Sequence, residues 1–213
     1  TSVESAIAPS VSLQFSEPQT WDLSDLYANF DDPKFHQDLQ ALQEMGSTFR
    51  QNYRGQVASL SPEAIAIALK ESEAIAELSN YLCDFPFLRL AANTRDTEAR
   101  HTLERVKEVL TEVENQTLFF DLELQGLDEE TFADLQAAPA LENYWHYLDS
   151  VARFRPHRLS EDVEQSRNQA RLTGRDAFVQ LRSVHLGEQD YAPVATPDGR
   201  TAATDAELGA LLY

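Results

Sequence analysis

The sequence predicts an all-α fold, a mainly helical multi-helix bundle with a small β-ribbon near its C-terminal end. Three observations carry this reading. Asp32-Pro33 and Ser61-Pro62 each set a capping side chain directly before a proline, the start signal of a helix whose first N–H needs no partner. From Ala99 to Leu124, apolar side chains recur at alternating spacings of four and three, the 3.5-residue seam of helices packed nearly antiparallel. Only after Gly187 does the composition turn to Pro, Gly, Val and Thr.

Taken in order, residues 1–20 mix Ser, Pro and apolar residues without a period, and read as an extended or mobile leader. In the WDLSDLY segment that follows, Trp21, Leu23, Leu26 and Tyr27 read as anchors pinning the leader to the helices. The first helix opens at Asp32-Pro33, carries Phe35, Leu39, Leu42 and Phe49 near one face, and ends close to Gly55. The second opens at Ser61-Pro62, buries Ile65, Leu69, Ile75, Leu78 and Leu82, and runs through a kink at Pro86 to about Ala92.

Asp96 opens the longest predicted helix, continuous to Gly126 and about 43 Å long at 1.5 Å per residue. Leu118, Phe119 and Leu122 widen its apolar face, so that end is expected to be buried on more than one side. A short helix follows over 128–137. Pro139 begins the next, with Leu141, Tyr144, Trp145, Leu148, Val151 and Ala152 apolar, and Pro156 stops it. Ser160 is placed to cap a helix whose first turn carries Glu161, Asp162 and Glu164, acids that answer the positive end of its dipole. Thr173 then punctuates, with Asp176 three residues on as a short capping-box partner, and another helix begins. Pro197-Asp198-Gly199 reads as a turn between two short extended segments. Residues 206–213 read as a new helix, with Leu208, Leu211, Leu212 and Tyr213 ready for burial and no cap to end it. The expectation is therefore an artificial or proteolytic end within a longer protein, as the missing initiator methionine at Thr1 also suggests. The division expected is a leader at 1–20, a helical domain at 21–187, and a ribbon and truncated helix at 188–213.

The net charge of −19 repels phosphate backbones and anionic lipid, which argues against nucleic acid and membrane as partners. A basic peptide or basic patch fits the sign, and an acid excess also serves solubility. Cys83, the single cysteine, cannot form an internal disulfide, and its apolar surroundings YLCDFPFL point to an inert buried thiol. No apolar run approaches a membrane span, and no basic-then-apolar signal pattern opens the chain; a reducing, cytoplasmic setting fits.

No chemistry is visible. His36, His101, His146, His157 and His185 include no pair four apart, and no His-Glu-x-x-His occurs. His157 after Pro156 is expected to bond a neighbouring backbone group or carboxylate. The carboxylate clusters Asp128-Glu129-Glu130 and Glu161-Asp162 sit at predicted helix starts, where the dipole explains them. G-x-S-x-G and Walker-type loops are absent, and Asp198-Gly199-Arg200 lacks the other positions of a calcium loop. No residue is assigned a catalytic, cofactor-binding or metal-binding role.

Four stretches carry a resemblance: WDLSDLY at 21–27, PALENYWHYLDSVARF at 139–154 leading into RPHRLSEDVE at 155–164, TGRDAF at 173–178, and TPDGRTA at 196–202. In this order they resemble the N-terminal region of oligoendopeptidase F, a zinc metallopeptidase family related to thimet oligopeptidase. The resemblance implies a non-catalytic segment of a zinc-dependent metalloendopeptidase that hydrolyses oligopeptides. It implies as partners a C-terminal catalytic domain of the same protein and an oligopeptide substrate. In the family that domain carries His-Glu-x-x-His, whose two histidines and a later glutamate bind zinc while the motif glutamate activates water. The helical N-terminal region walls or gates the substrate channel, admitting oligopeptides and excluding folded proteins. None of those zinc ligands can be carried onto this sequence, so the zinc would belong to the full-length protein and this segment is expected to be inactive alone. The alternative is a free-standing acidic helical module for protein interaction, without enzymatic activity. The reading frame after Tyr213 separates the two: a stop codon favours the module, a downstream His-Glu-x-x-His the peptidase.

Overall fold

The computed structural model describes residues 22–187, 189, 192, 194–195 and 201–202. The leader, Trp21, the Pro197-Asp198-Gly199 turn and the closing helix at 206–213 lie outside the described residues.

The fold is all-α. Helices α1 (Pro33–Tyr53), α2 (Pro62–Ala92) and α3 (Thr97–Thr117) pack on one another as the principal layer. Their starts follow from capping chemistry. The Asp32 carboxylate accepts the Lys34 N–H at 2.9 Å, Ser61 Oγ the Ala64 N–H at 3.3 Å, and Asp96 the Ala99 N–H at 2.9 Å. The apolar stripes predicted for these helices face inward: Phe35, Leu42 and Phe49 from α1, Ile65, Leu69, Ile75 and Leu82 from α2, and Ala99, Leu103, Val106 and Val113 from α3 are buried. Each such large side chain contributes about 1.5–3 kcal/mol by leaving water. Helix α2 passes through Pro86, which is itself buried and packs in the core side of the helix. α1 and α3 approach closely at Gly46, where a Cβ would lie 3.1 Å from Val113 Cγ1.

Two aromatic clusters lock the ends of α1. At its start, Tyr27 meets Phe35 edge-on at 5.0 Å and Phe85 at 5.5 Å, with Phe30 5.2 Å from Phe85. Tyr27 also donates to Asp38 at 3.0 Å, while Leu23 and Leu26 pack against the core, so the segment after Trp21 does anchor the chain. At the far end Phe49 gathers Tyr53, Phe119 and Phe120 at 4.9, 5.9 and 5.3 Å.

The predicted single helix over 96–126 is two helices, α3 and α4 (Phe119–Gly126), separated at Leu118. Leu118 keeps helical dihedrals (φ −51°, ψ −35°), so this is a kink and not a loop. The Thr117 hydroxyl donates back to the Val113 and Glu114 carbonyls at 3.1 and 3.3 Å, a bond that commonly perturbs helices, while the Leu118 N–H still reaches the Glu114 carbonyl at 2.9 Å.

A second group of short elements extends the same core: α5 (Glu129–Ala137), a 3-10 turn at Pro139–Tyr144, and α6 (Trp145–Phe154). Pro139 thus opens a 3-10 segment, not the α-helix itself, and Trp145 is 61% exposed. Helices α7 (Glu161–Thr173) and α8 (Arg175–Gly187) follow, interrupted at Gly174, the residue that ends α7 one position after Thr173, and run in succession along α3 from Asn115 towards Glu104. Ser160 holds the N-cap position of α7, but its hydroxyl makes no capping bond; its carbonyl accepts from Val163 and Glu164 at 3.0 Å. Strands β1 (Val194–Ala195) and β2 (Thr201–Ala202) pair antiparallel, Val194 opposite Ala202, within the region predicted to form a ribbon. No helix among the described residues is long and apolar enough to cross a membrane.

Phe49→Ala should lower stability by about 3–5 kcal/mol, because it empties the cluster joining α1 to α4. Urea unfolding followed by circular dichroism checks this, and a loss below 1 kcal/mol would show that the cluster is not a keystone. The acid limb offers a second test. The Ala99 N–H first, and Arg89 at 2.9 Å in support, hold the Asp96 carboxyl below its ordinary 3.8 against the opposing effect of burial. Its contribution is therefore complete above pH 3.8 and drains away as pH falls through the lower folded value. Asp96→Asn should flatten that limb of a stability-against-pH curve, and Asp96→Ala should cost about 1 kcal/mol at neutral pH.

Candidate functional site

The segment following α6 builds one wall of a concavity shared with the turn after α1 and the end of α4. Proline at 156 cannot continue α6, so Arg155–His157 tightens into a 3-10 turn and the chain runs extended through Arg158 to the start of α7. This route lays two guanidinium groups against the C-terminal end of α4, where carbonyls lack helical partners. Arg155 donates through Nε to the Gln125 carbonyl at 3.1 Å and through a terminal nitrogen to the Leu127 carbonyl, with its plane 5.1 Å from the Phe132 ring centre. Arg158 reaches the Leu122 carbonyl at 3.4 Å. Gly126 makes room for it, since a Cβ there would sit 2.5 Å from Arg158 Nη1.

Across the same concavity, Arg54 forms a two-pronged pair with Glu161 at 2.8 Å for both contacts, and stands over the Phe119 ring. Gly55, at φ +73°, turns the chain after α1 so that its N–H points to Glu123 at 2.8 Å, with Val57 N–H on the other oxygen at 3.4 Å. The enclosed volume is about 470 Å³.

Its charges are spent on one another. Arg155 and Arg158 answer carbonyls, Arg54 answers Glu161, Glu123 answers backbone N–H groups, and Asp128 caps α5 through the Thr131 N–H at 2.8 Å. That cap, above all its backbone bond, lowers the Asp128 carboxyl from its ordinary range. No base stands beside the Ser160 hydroxyl among the described residues. The arrangement is a clamp, joining the α1 turn, α4 and the start of α7, with nothing poised to attack or to transfer a proton.

The other titratable groups fit this picture. His157 is exposed and makes no hydrogen bond or ion pair among the described residues, so the expected neighbour for it is not there. His36 and His101, far apart in sequence, meet in a second groove of about 310 Å³ between α1 and α3, with Asp31, Glu98, Thr102 and Arg105 at its edge. Sequence reasoning missed that juxtaposition because it depends on how α1 crosses α3. Even so, no group of three or more His, Cys, Asp or Glu among the described residues is placed to hold a metal ion. Asp121 accepts from the Tyr147 hydroxyl; desolvation raises its carboxyl, opposed by that bond, yet the residue stays open to solvent and is no buried catalytic acid. Burial raises the half-buried Cys83 thiol, the reverse of an activated nucleophile.

Arg155→Ala should destabilise the chain by about 1.5–3 kcal/mol, the range for hydrogen bonds made by a charged group. Arg155→Lys should recover little, because an ammonium cannot span both carbonyls and stack on Phe132. Unfolding midpoints of the two variants check this, and full recovery by lysine would reduce the clamp to a point charge.

The family match falls on the same part of the chain. Residues 123–188 match the family model described as oligopeptidase F, a span running from α4 through α8 and containing the whole clamp segment 155–161. Oligoendopeptidase-F from Enterococcus faecium shares the fold with a TM-score of 0.68 at 17% identity, over 84% of this chain and 35% of that one. A Chlamydophila abortus protein assigned as a peptidase matches with a TM-score of 0.55 at 20% identity, over 90% of this chain and 32% of its own. The chain thus spans about a third of the length of these solved structures. No curated protein sequence matches. The family match and the shared fold support the N-terminal region of oligoendopeptidase F as the counterpart of this chain.

Proposed function

We propose that this chain is the non-catalytic helical segment of a zinc-dependent metalloendopeptidase, and that it walls or gates the channel through which oligopeptides reach a separate catalytic domain. The observation that carries this reading is the oligopeptidase F match over 123–188, the segment the clamp holds in place. In this reading residues 21–187 form one helical domain, the partners are that catalytic domain and an oligopeptide, and the setting is cytoplasmic.

The zinc does not fit the residues present here. The chain has no His-Glu-x-x-His, and its described residues bring no three metal-ligating side chains together. The metal belongs to the catalytic domain, and no chemical step is assigned to this segment. What the segment contributes is shape and field. Its helices are rigidly cross-tied, and a chain carrying −19 charges attracts the basic groups of a peptide while offering nothing that polarises a carbonyl.

Purified alone, the chain should not hydrolyse a quenched fluorescent oligopeptide, with or without added zinc, and should not retain stoichiometric zinc through gel filtration. Deleting the segment from the peptidase should relax exclusion, so that a folded protein substrate is cut that the intact enzyme spares. Turnover by the isolated chain that survives chelation would overturn the proposal. An unchanged substrate range after deletion would remove the gating role and leave the interaction-module reading.

A further inference from the structure

Helices α7 and α8 lie one after the other along the bundle, and neither contributes a residue to its core cluster. Helix α7 has no buried residue, and polar contacts hold both helices to α3: Asn168 to Asn115 at 3.1 Å, Arg171 to Glu114 at 3.1 Å and Gln180 to Glu104 at 2.6 Å. Leu172, Val184 and Leu186 are half-buried, but other large apolar side chains are not. Phe178, Val179 and Leu181 of α8 are 72%, 56% and 62% exposed. Arg175, Phe178, Val179 and Arg182 follow the i, i+3, i+4, i+7 spacing of one helical stripe, with Leu181 beside Phe178. A contiguous apolar stripe on a water-facing helix marks a surface that is covered in use.

The charge around the stripe says what covers it. Of the seven arginines in residues 153–187, Arg153, Arg155, Arg158, Arg167 and Arg171 already answer carboxylates or carbonyls, which leaves Arg175 and Arg182 at the stripe. Arg182 makes no ion pair among the described residues, and Arg175 touches only Asp176, at 3.9 Å. Two copies of the stripe laid together would set Arg175 and Arg182 of one against those of the other, so self-pairing is opposed. A partner with an apolar centre and an acidic rim is favoured on both counts.

We infer that the Arg175–Phe178–Val179–Leu181–Arg182 stripe of α8 is the docking surface for the catalytic domain of the peptidase, which meets it with an acidic-rimmed apolar patch. This rests on the proposed function above. It is further supported by the two solved structures, in which about two thirds of each chain lies outside the part this fold matches. Buried there, the stripe would fix the angle at which the helical wall stands against the channel.

The test is thiol footprinting. Phe178→Cys in a Cys83→Ala background is labelled with a small maleimide, both in the isolated chain and in the intact peptidase. The expected result is labelling at least tenfold slower in the intact peptidase, and fast, concentration-independent labelling in the isolated chain. Adding Arg175→Glu and Arg182→Glu should raise the intact-protein rate at least threefold, as the rims now repel. Rates within twofold of each other in the two forms would overturn the inference while an active, size-selective peptidase still upheld the proposed function. Slow labelling in the isolated chain would also overturn it: a rate that falls with concentration identifies a second copy as the cover, and a concentration-independent one identifies the chain's own residues. Protection that the charge reversals leave unchanged would exclude an acidic-rimmed partner. A parent protein without a catalytic domain would end both readings.

Discussion

A helix that stops inside a protein leaves carbonyls that need donors, and the way α4 stops organises the second half of this molecule. Its last turn has no basic residue of its own. The donors come from Arg155 and Arg158, which lie beyond two further helices in sequence. Satisfying those carbonyls fixes where α6 must end, where the extended link must pass, and where α7 must begin. The Arg54–Glu161 pair then ties that beginning to the turn after α1. The bonds to the Gln125 and Leu127 carbonyls thereby add a polar tie between elements whose apolar side chains already share one core, and the clamp segment lies inside the span of the family match.

Much of the bundle was legible in the sequence because its determinants are local. Asp32, Ser61, Asp96 and Asp128 cap the helices they precede, and the stripes of α1, α2 and α3 face the core as their spacing required. The kink at Leu118 was not legible. The alternation of four and three runs through it unbroken, and a threonine bonding backwards leaves no mark in a hydrophobic pattern. Trp145 misled for the opposite reason: it lies in an apolar stretch, but the 3-10 turn ahead of it shifts which residues point inward, so Leu148 is fully buried and Trp145 is not. The basic character of the RPH segment was plain, but the carbonyls it serves are tertiary neighbours that no spacing rule encodes. The same holds for His36 and His101, whose shared groove exists only once α1 crosses α3.

The division of labour between the two halves of the fold follows from burial. The three long helices invest their apolar surface inward and lock α1 at both ends with aromatic rings. Helices α7 and α8 bury little, their attachment to α3 is polar, and Phe178, Val179 and Leu181 stay exposed.

The exposure of Trp145 decides how this molecule reports on itself to light. Of the two tryptophans, Trp21 lies outside the described residues and Trp145 is 61% exposed at the start of α6. An indole already in water emits near its solvated wavelength before anything melts, so Trp145 fluorescence is nearly silent on loss of the core. Among the described residues the chromophores set most deeply in the core are phenolic: Tyr27, 1% exposed between Phe35 and Phe85, and Tyr53, beside Phe49. Near-ultraviolet ellipticity in the tyrosine band therefore carries the folding signal, one ring at each end of α1.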